Sequence, residues 1–261
     1  MSTAKLLKRL DILGIWVSRL ESYKHAEDII VQQARGRQKT FCVAINPEKI
    51  YSAQKDEYLR ELINSADIHI CDGIGAAIAA KVLYGEKIAR ITGVQLFLGL
   101  MSCAEKEGLS VFLLGAKPES NEGAYNKLIQ MHPDLQIAGR QDGYFKDDRE
   151  VVQKINNSGA DMLFVALGSP RQEFWITEHR EAICAPFCLG IGGALDVLSG
   201  NAKWAPKIFR KTGTEFLYRL ITDPKRWRRQ LVLPKFALMV LKERIYTKTV
   251  SQDRETKNGS S

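Results

Sequence analysis

Residues 162–193 read MLFVALGSPRQEFWITEHREAICAPFCLGIGG. Two unbroken apolar runs, Met162–Leu167 and Phe187–Ile191, flank a mixed stretch, Arg171–Ile183. An apolar run without polar alternation marks a strand buried on both faces. The mixed stretch suits a helix, and the unit strand–helix–strand implies parallel pairing. Working outward, Thr40–Ile45, Ile68–Cys71, Ser110–Leu114 and Leu135–Ala138 read as further strands. Glu48–Asn64, Ile74–Leu83, Glu119–Met131 and Asp148–Asn157 read as the helices between them. Upstream, Ile12–Val17 reads as an edge strand and His25–Arg35 as a helix. The alternation predicts an α/β protein: a Rossmann-like, mostly parallel sheet covered by helices on both faces, over residues 1–202. Such sheets bind ligands beyond the carboxyl ends of their strands.

The chain has 261 residues, 45% apolar and 26% charged, the composition of an ordinary globular protein. No stretch is apolar for long enough to span a membrane. Leu10–Leu20 is broken by Asp11, Ser18 and Arg19, which is not a secretory core, so a cytoplasmic location is expected. Cys42, Cys71, Cys103, Cys184 and Cys188 are odd in number and scattered, which predicts reduced thiols. His25, His69, His132 and His179 are dispersed, and no HExxH, DxD or Cys-rich ligand set occurs. The sequence therefore implies no metal and no cofactor.

Charge is uneven. Residues 203–250 hold thirteen Lys and Arg against Glu215, Asp223 and Glu243, a net +10 in a chain of +8 overall. Trp204, Phe209, Phe216, Tyr218, Trp227, Phe236 and Tyr246 are interleaved with them. Cations among aromatics suit an anionic partner: lipid headgroups, phosphates or nucleic acid. The segment splits into two helical candidates, Thr212–Ile221 and Lys235–Ile245, and forms a basic appendage; 251–261 is polar and expected to be disordered.

Five glycine- or proline-marked turns follow five strands. Asn46-Pro47-Glu48 is a helix start, with Asn46 as cap and Pro47 at the first position, placed where a ligand would bind. Asp72-Gly73-Ile74-Gly75 lets backbone approach a ligand, and Asp72 either caps a helix or acts as a base. Gly115-Ala116-Lys117-Pro118 can cradle a phosphate. Gly168-Ser169-Pro170-Arg171-Gln172-Glu173 offers Ser169 as a cap and Gln172 as a partner for sugar hydroxyls. Gly190, Gly192 and Gly193 place backbone near a ligand, and Asp196 can bind a ribose hydroxyl.

With Arg90-Ile91-Thr92-Gly93, Ala205-Pro206 and the stretch from Glu215 to Arg229, these motifs resemble, in order and spacing, the WecG/TagA/CpsF family of bacterial glycosyltransferases across residues 10–232. The resemblance implies inverting transfer of a sugar from a UDP-sugar donor to a polyprenyl-diphosphate-linked saccharide acceptor. The sugar would be N-acetylmannosamine, its uronate or glucose. The work would be done at the inner face of the cytoplasmic membrane, for cell-envelope polymers or exopolysaccharide. It implies Asp72 as catalytic base, with Arg90 and Gln172 in the active site. Arg219, Arg226 and Arg229 would close over the donor diphosphate. Many members carry Thr where this chain has Ala44, and GLEW where it has Gly213-Thr214-Glu215-Phe216.

Two other readings share parts of this pattern. One is a nucleotide-sugar-modifying or NAD-dependent Rossmann enzyme, against which stands the lack of a GxGxxG followed by an acidic residue. The other is a nucleic-acid-binding protein using the basic appendage, although nothing in 1–202 resembles a nucleic-acid module. The resemblance points away from nucleic acid, and oligomeric state stays open.

Overall fold

The structure, a computed structural model, describes residues 7–222, 227 and 231–258. Its centre is a six-stranded parallel sheet of β3 (Thr40–Ile45), β4 (Ile68–Cys71), β5 (Val111–Gly115), β6 (Ile137–Gln141), β7 (Met162–Ala166) and β8 (Phe187–Gly190). The spatial order is β4-β3-β8-β7-β5-β6. All pairs are parallel, so all six carboxyl ends lie along one edge. The expected fold class therefore stands.

Period-2 alternation sorts the strand side chains into two layers. Phe41, Val43 and Ile45 face the layer of α2 (Pro47–Ala53), α3 (Glu57–Asn64), α4 (Ile74–Tyr84), α7 (Asp148–Ser158) and α8 (Arg171–His179). Cys42 and Ala44 face the layer of α1 (Tyr23–Arg35), α5 (Gly93–Glu107), α6 (Pro118–Met131) and α9 (Ala194–Leu198). The chain leaves β3 into one layer and β8, its neighbour, into the other. That divergence opens a crevice at the carboxyl ends.

Several boundaries differ from the sequence reading. Ile12–Val17 is not one edge strand. Leu13 and Gly14 both have positive φ, 55° and 80°, and form a two-residue turn between β1 (Arg9–Ile12) and β2 (Ile15–Ser18). These two pair antiparallel as a separate sheet. The helix predicted over Glu48–Asn64 is two helices, because Asp56 accepts a hydrogen bond from the Leu59 amide and starts α3 afresh. The sequence reading assigns no helix to 93–107, yet α5 forms there and buries Leu96, Phe97, Leu100, Met101 and Ala104. The strand expected at Leu135–Ala138 is β6, shifted to Ile137–Gln141; it is an edge strand, so Arg140 and Gln141 are only partly covered. Ser169 does not cap α8: Pro170 occupies the cap position. All five cysteines are free.

The basic segment forms α10 (Lys207–Thr212), α11 (Glu215–Thr222) and α12 (Val232–Asn258). The tail expected from 251 overlaps the end of α12, while 259–261 lie outside the described residues. α12 packs on α2 and α4, and its Phe236 and Val240 are each 4% exposed within the same apolar cluster as the sheet. Arg244 Nη1 donates to the Leu83 carbonyl at 3.0 Å, fastening the helix to the end of α4. Among the described residues no helix is long and apolar enough to cross a membrane.

Candidate functional site

A cavity of about 490 Å³ opens at the carboxyl ends of β3 and β4, within the size range of small-molecule sites. The turns Asn46-Pro47 and Asp72-Gly73 form its floor, Thr92-Gly93 one wall, and α4 and α12 the opposite walls; Trp204, Ala205, Gly213 and Phe216 line the remainder.

The floor joins two sequence motifs. Asn46 has extended backbone and its Oδ1 accepts from the Lys49 amide at 2.9 Å, so the side chain is used as a helix cap while the turn faces the cavity. Pro47 lies against the start of α4. A Cβ added to Gly75 would sit 2.5 Å from Pro47 Cγ, so this close approach requires glycine. The Asp72 amide donates to the Ile45 carbonyl at 2.8 Å, which fixes the second turn to the first. The Asp72 carboxylate points at the Thr92-Gly93 turn, on the side where Ala44 presents its methyl group. The cap position of α4 is Gly73, which has no side chain to serve there, and Asp72 directly precedes it.

Arg90 lies beside this floor. Its Nη1 is 2.9 Å from Glu215 Oε2, and its Nη2 donates to the Arg210 carbonyl. It thus clasps α10 and α11 onto the core. Tyr23, from α1, braces the neighbouring turn: its hydroxyl accepts from the Thr92 amide at 2.8 Å and donates to Gln95 Oε1. Burial raises the Tyr23 pKa. Hydrogen bonds from Thr92 oppose that rise, Arg90 opposes it further, and Asp72 adds to it. The same two charges act on Cys71, whose thiol is pushed up to about 12, chiefly by burial, and is inert.

Gln172 does not line the cavity. It is 3% exposed, and its Oε1 accepts from the Gly192 amide at 2.9 Å. A Cβ on Gly190 would lie 2.5 Å from Gln172 Nε2, so only glycine admits the side chain beneath the β8 turn. Gln172 Nε2 in turn donates to Glu173 Oε1 at 2.8 Å. Glu173 Oε1 also receives Lys49 Nζ at 2.7 Å, and Lys49 Nζ donates to the Ala44 carbonyl at 2.7 Å. One buried chain of polar contacts therefore ties together the ends of β3, β7 and β8. Sequence reasoning missed it, because Lys49 and Glu173 are 124 positions apart and neither carries a local signal of pairing.

The structure places Asn46, Asp72 and Gly73 in the cavity wall, with Arg90 next to them. Gly115, Gly168, Gly192 and Asp196 lie along the same sheet edge, Gly115 at the end of β5 and the others after β7 and β8, outside that wall. Gly115 packs against Ala166 of β7, and Asp196 sits in the first turn of α9. Arg219 belongs to α11; Arg226 and Arg229 lie outside the described residues. Thr92 was quoted within a motif but given no role; Tyr23, the α12 face and the approach of Arg210 to Trp204 were missed by sequence reasoning, the guanidinium carbon lying 4.0 Å from the ring centre of Trp204, which lines the cavity. The interleaving of cations with aromatics was the available signal for that last pair. A carboxylate facing a cavity, with cations beside it and ordered turns behind it, is equipped to accept a proton from a bound hydroxyl.

Known proteins share this arrangement of sequence. The family model described as glycosyl transferase WecG/TagA/CpsF family matches residues 10–250. A protein of Bacillus spizizenii, an N-acetylglucosaminyldiphosphoundecaprenol N-acetyl-beta-D-mannosaminyltransferase, is 38% identical over 239 residues, 91% of each chain. A protein of Bacillus subtilis with the same name is 38% identical over 205 residues, 78% of this chain and 80% of that one. The match to the family model spans both the sheet that carries Asp72 and the helices that roof it, and the chain belongs to the WecG/TagA/CpsF family of glycosyltransferases.

Proposed function

We propose that this glycosyltransferase moves N-acetylmannosamine from a UDP-sugar to N-acetylglucosamine linked through diphosphate to a polyprenol, with inversion at the anomeric carbon. The names of the two Bacillus relatives supply the acceptor and the sugar, and favour N-acetylmannosamine over its uronate or glucose. Family membership decides for glycosyl transfer over the dehydrogenase and nucleic-acid readings. The observation that carries the mechanism is the Asp72 carboxylate at the cavity floor, facing the Thr92-Gly93 turn.

In this mechanism Asp72 accepts the proton of the acceptor hydroxyl. The freed oxygen forms its bond to the anomeric carbon as the bond from that carbon to the UDP oxygen breaks, and UDP leaves with the electron pair. Charge grows on the departing diphosphate, and fixed cations stabilise it. Arg90 is the cation proposed beside the floor, and Arg219, Arg226 and Arg229 are the further candidates. Gln172 is a positioning residue here: it holds the β8 turn rather than lining the cavity. Gly115, Gly168, Gly192 and Asp196 extend the same edge and offer backbone and a carboxylate to the nucleotide.

The segment 203–250 also fits an anionic membrane surface. Ile208, Leu238, Leu241, Ile245 and Tyr246 are exposed among its cations. At roughly 1 kcal/mol per cation near such a surface, a few of them hold the protein there reversibly. The membrane in question is the cytoplasmic face on which a lipid-linked acceptor is presented.

The test is incubation with a panel of UDP-sugars and polyprenyl-diphosphate-linked N-acetylglucosamine, following UDP release and product mass beside Asp72→Ala. Transfer from UDP-N-acetylmannosamine alone, lost in the variant, is the expected result. Transfer undiminished by the substitution would remove Asp72 as base, and no transfer from any donor would overturn the reading.

A further inference from the structure

The cavity is chemically two-ended. At the sheet edge its wall is polar, with Asn46, Glu48, Asp72 and Thr92. Away from the sheet it runs between α4 and α12, where Ile78, Val82, Phe236, Ala237, Val240 and Leu241 line it. Those six side chains carry no hydrogen-bonding group, so a saccharide or diphosphate placed against them would lose its water contacts without replacement. Ile78 and Leu241 line the cavity and are 53% and 54% exposed, so the apolar end is open to the outside. Trp204 also lines the cavity, and the Arg210 guanidinium carbon lies 4.0 Å from the centre of its ring.

A ligand matching this lining is polar at one end and aliphatic at the other, and carries an anionic group that the cation on Trp204 can meet. We propose that the channel between α4 and α12 binds the first isoprenoid units of the acceptor lipid, with the diphosphate beside Arg210 and the sugar at Asp72. This rests on the reading of a polyprenyl-diphosphate acceptor given above, and adds to it a site for the lipid chain itself. The α4–α12 seam is well suited to that task. Phe236 and Val240 anchor α12 to α4 and the core, while Ile78, Val82, Ala237 and Leu241 line the cavity along the same seam. The channel makes the enzyme read the lipid as well as the sugar, and it gives α12 a role beyond surface attachment.

Binding by calorimetry to the full chain tests this without requiring turnover. The probes are farnesyl diphosphate and inorganic pyrophosphate, which differ in the isoprenoid chain. Wild-type protein is expected to bind farnesyl diphosphate at least about tenfold more tightly, since even two buried methylene groups supply that ratio. Ile78→Glu places a carboxylate in the channel, and Ala237→Phe fills it. Both positions are exposed enough to tolerate the change, and circular dichroism checks the fold. Each is expected to bring the ratio of the two affinities close to one. Equal affinities in the wild type, or a ratio unmoved by both substitutions, would overturn the proposal. A ratio that behaves as expected in a protein that transfers no sugar would instead refute the transfer reading and leave the isoprenoid site standing.

Discussion

Lys49 and Glu173 form a buried ion pair, Nζ to Oε1 at 2.7 Å, with side chains only 9% and 0% exposed. One belongs to the helix after β3 and the other to the helix after β7, and between those strands lies β8. The pair therefore ties those two helices together across the intervening strand. Glu173 Oε2 is buried with no hydrogen-bond partner among the described residues, so Lys49 carries most of the compensation for that charge.

Removing one partner leaves the other buried and unpaired, which costs about 3–5 kcal/mol. Lys49→Met should therefore lose about that much in urea unfolding. The double variant Lys49→Met, Glu173→Leu should recover a large part of it, because no isolated charge remains. Equal losses in single and double variants would show that packing, not charge, is what the pair provides.

Asp72 is predicted to act on chemistry rather than on binding. A positioned base contributes about 10²–10⁴ in rate, so Asp72→Asn should lower kcat by that range with KM for either substrate changed little. Steady-state UDP release read at two acceptor concentrations separates the two effects. A rise in KM with kcat preserved would place Asp72 among the binding groups.

Arg90 clasps α10 and α11 through Glu215 and the Arg210 carbonyl. Glu215→Ala cuts one of these ties while leaving the Arg90 cation in place. The expected outcome is faster tryptic cleavage after Lys207, Arg210 and Lys211, with the cleavage pattern of 7–200 unchanged. An unchanged rate would mean that the remaining contacts hold these helices without Glu215.

Much of this was legible in the sequence, and the reasons are local. Short apolar runs such as Phe41–Ile45 and Met162–Ala166, alternating with helical stretches, read as strands covered on both faces, and in a parallel sheet the turns that follow them share one edge. That is how Asn46 and Asp72, in separate motifs, were placed in one site. The helix over 93–107 was missed although Leu96, Phe97, Leu100, Met101 and Ala104 follow a helical period, because the Thr92-Gly93 start reads as a turn. The surroundings of Gln172 were not legible for a different reason. A glutamine in a strand-end motif looks available to a sugar, and only the structure shows its amide spent beneath Gly190 and Gly192. The position of α12 was not legible either, since contacts between residues as far apart as Leu83 and Arg244 leave no mark in a single sequence.

His69 offers a prediction about pH. It lies in β4, fully buried, with Nε2 3.0 Å from the Ile63 carbonyl and Nδ1 without a hydrogen-bond partner among the described residues. Burial, aided by the nearby Arg9 charge, lowers its pKa from 6.5 to about 3. The folded state thus holds the neutral ring, and below pH 6.5 the unfolded state binds a proton that the folded state does not. Stability from this residue is complete above 6.5 and is lost as pH falls towards 3, by at most about 1.4 kcal/mol per pH unit. His69→Gln keeps a donor for the Ile63 carbonyl but cannot titrate. Its absolute stability at pH 7 will be lower, for it fits the site less well. The informative quantity is the difference between the two proteins, measured by urea unfolding at several pH values. That difference should narrow by about 1.6 kcal/mol between pH 6.5 and 5, because only the wild type bears the protonation penalty there. Parallel curves would mean that the ring is protonated in the folded state, and that the strand opens enough to hydrate it.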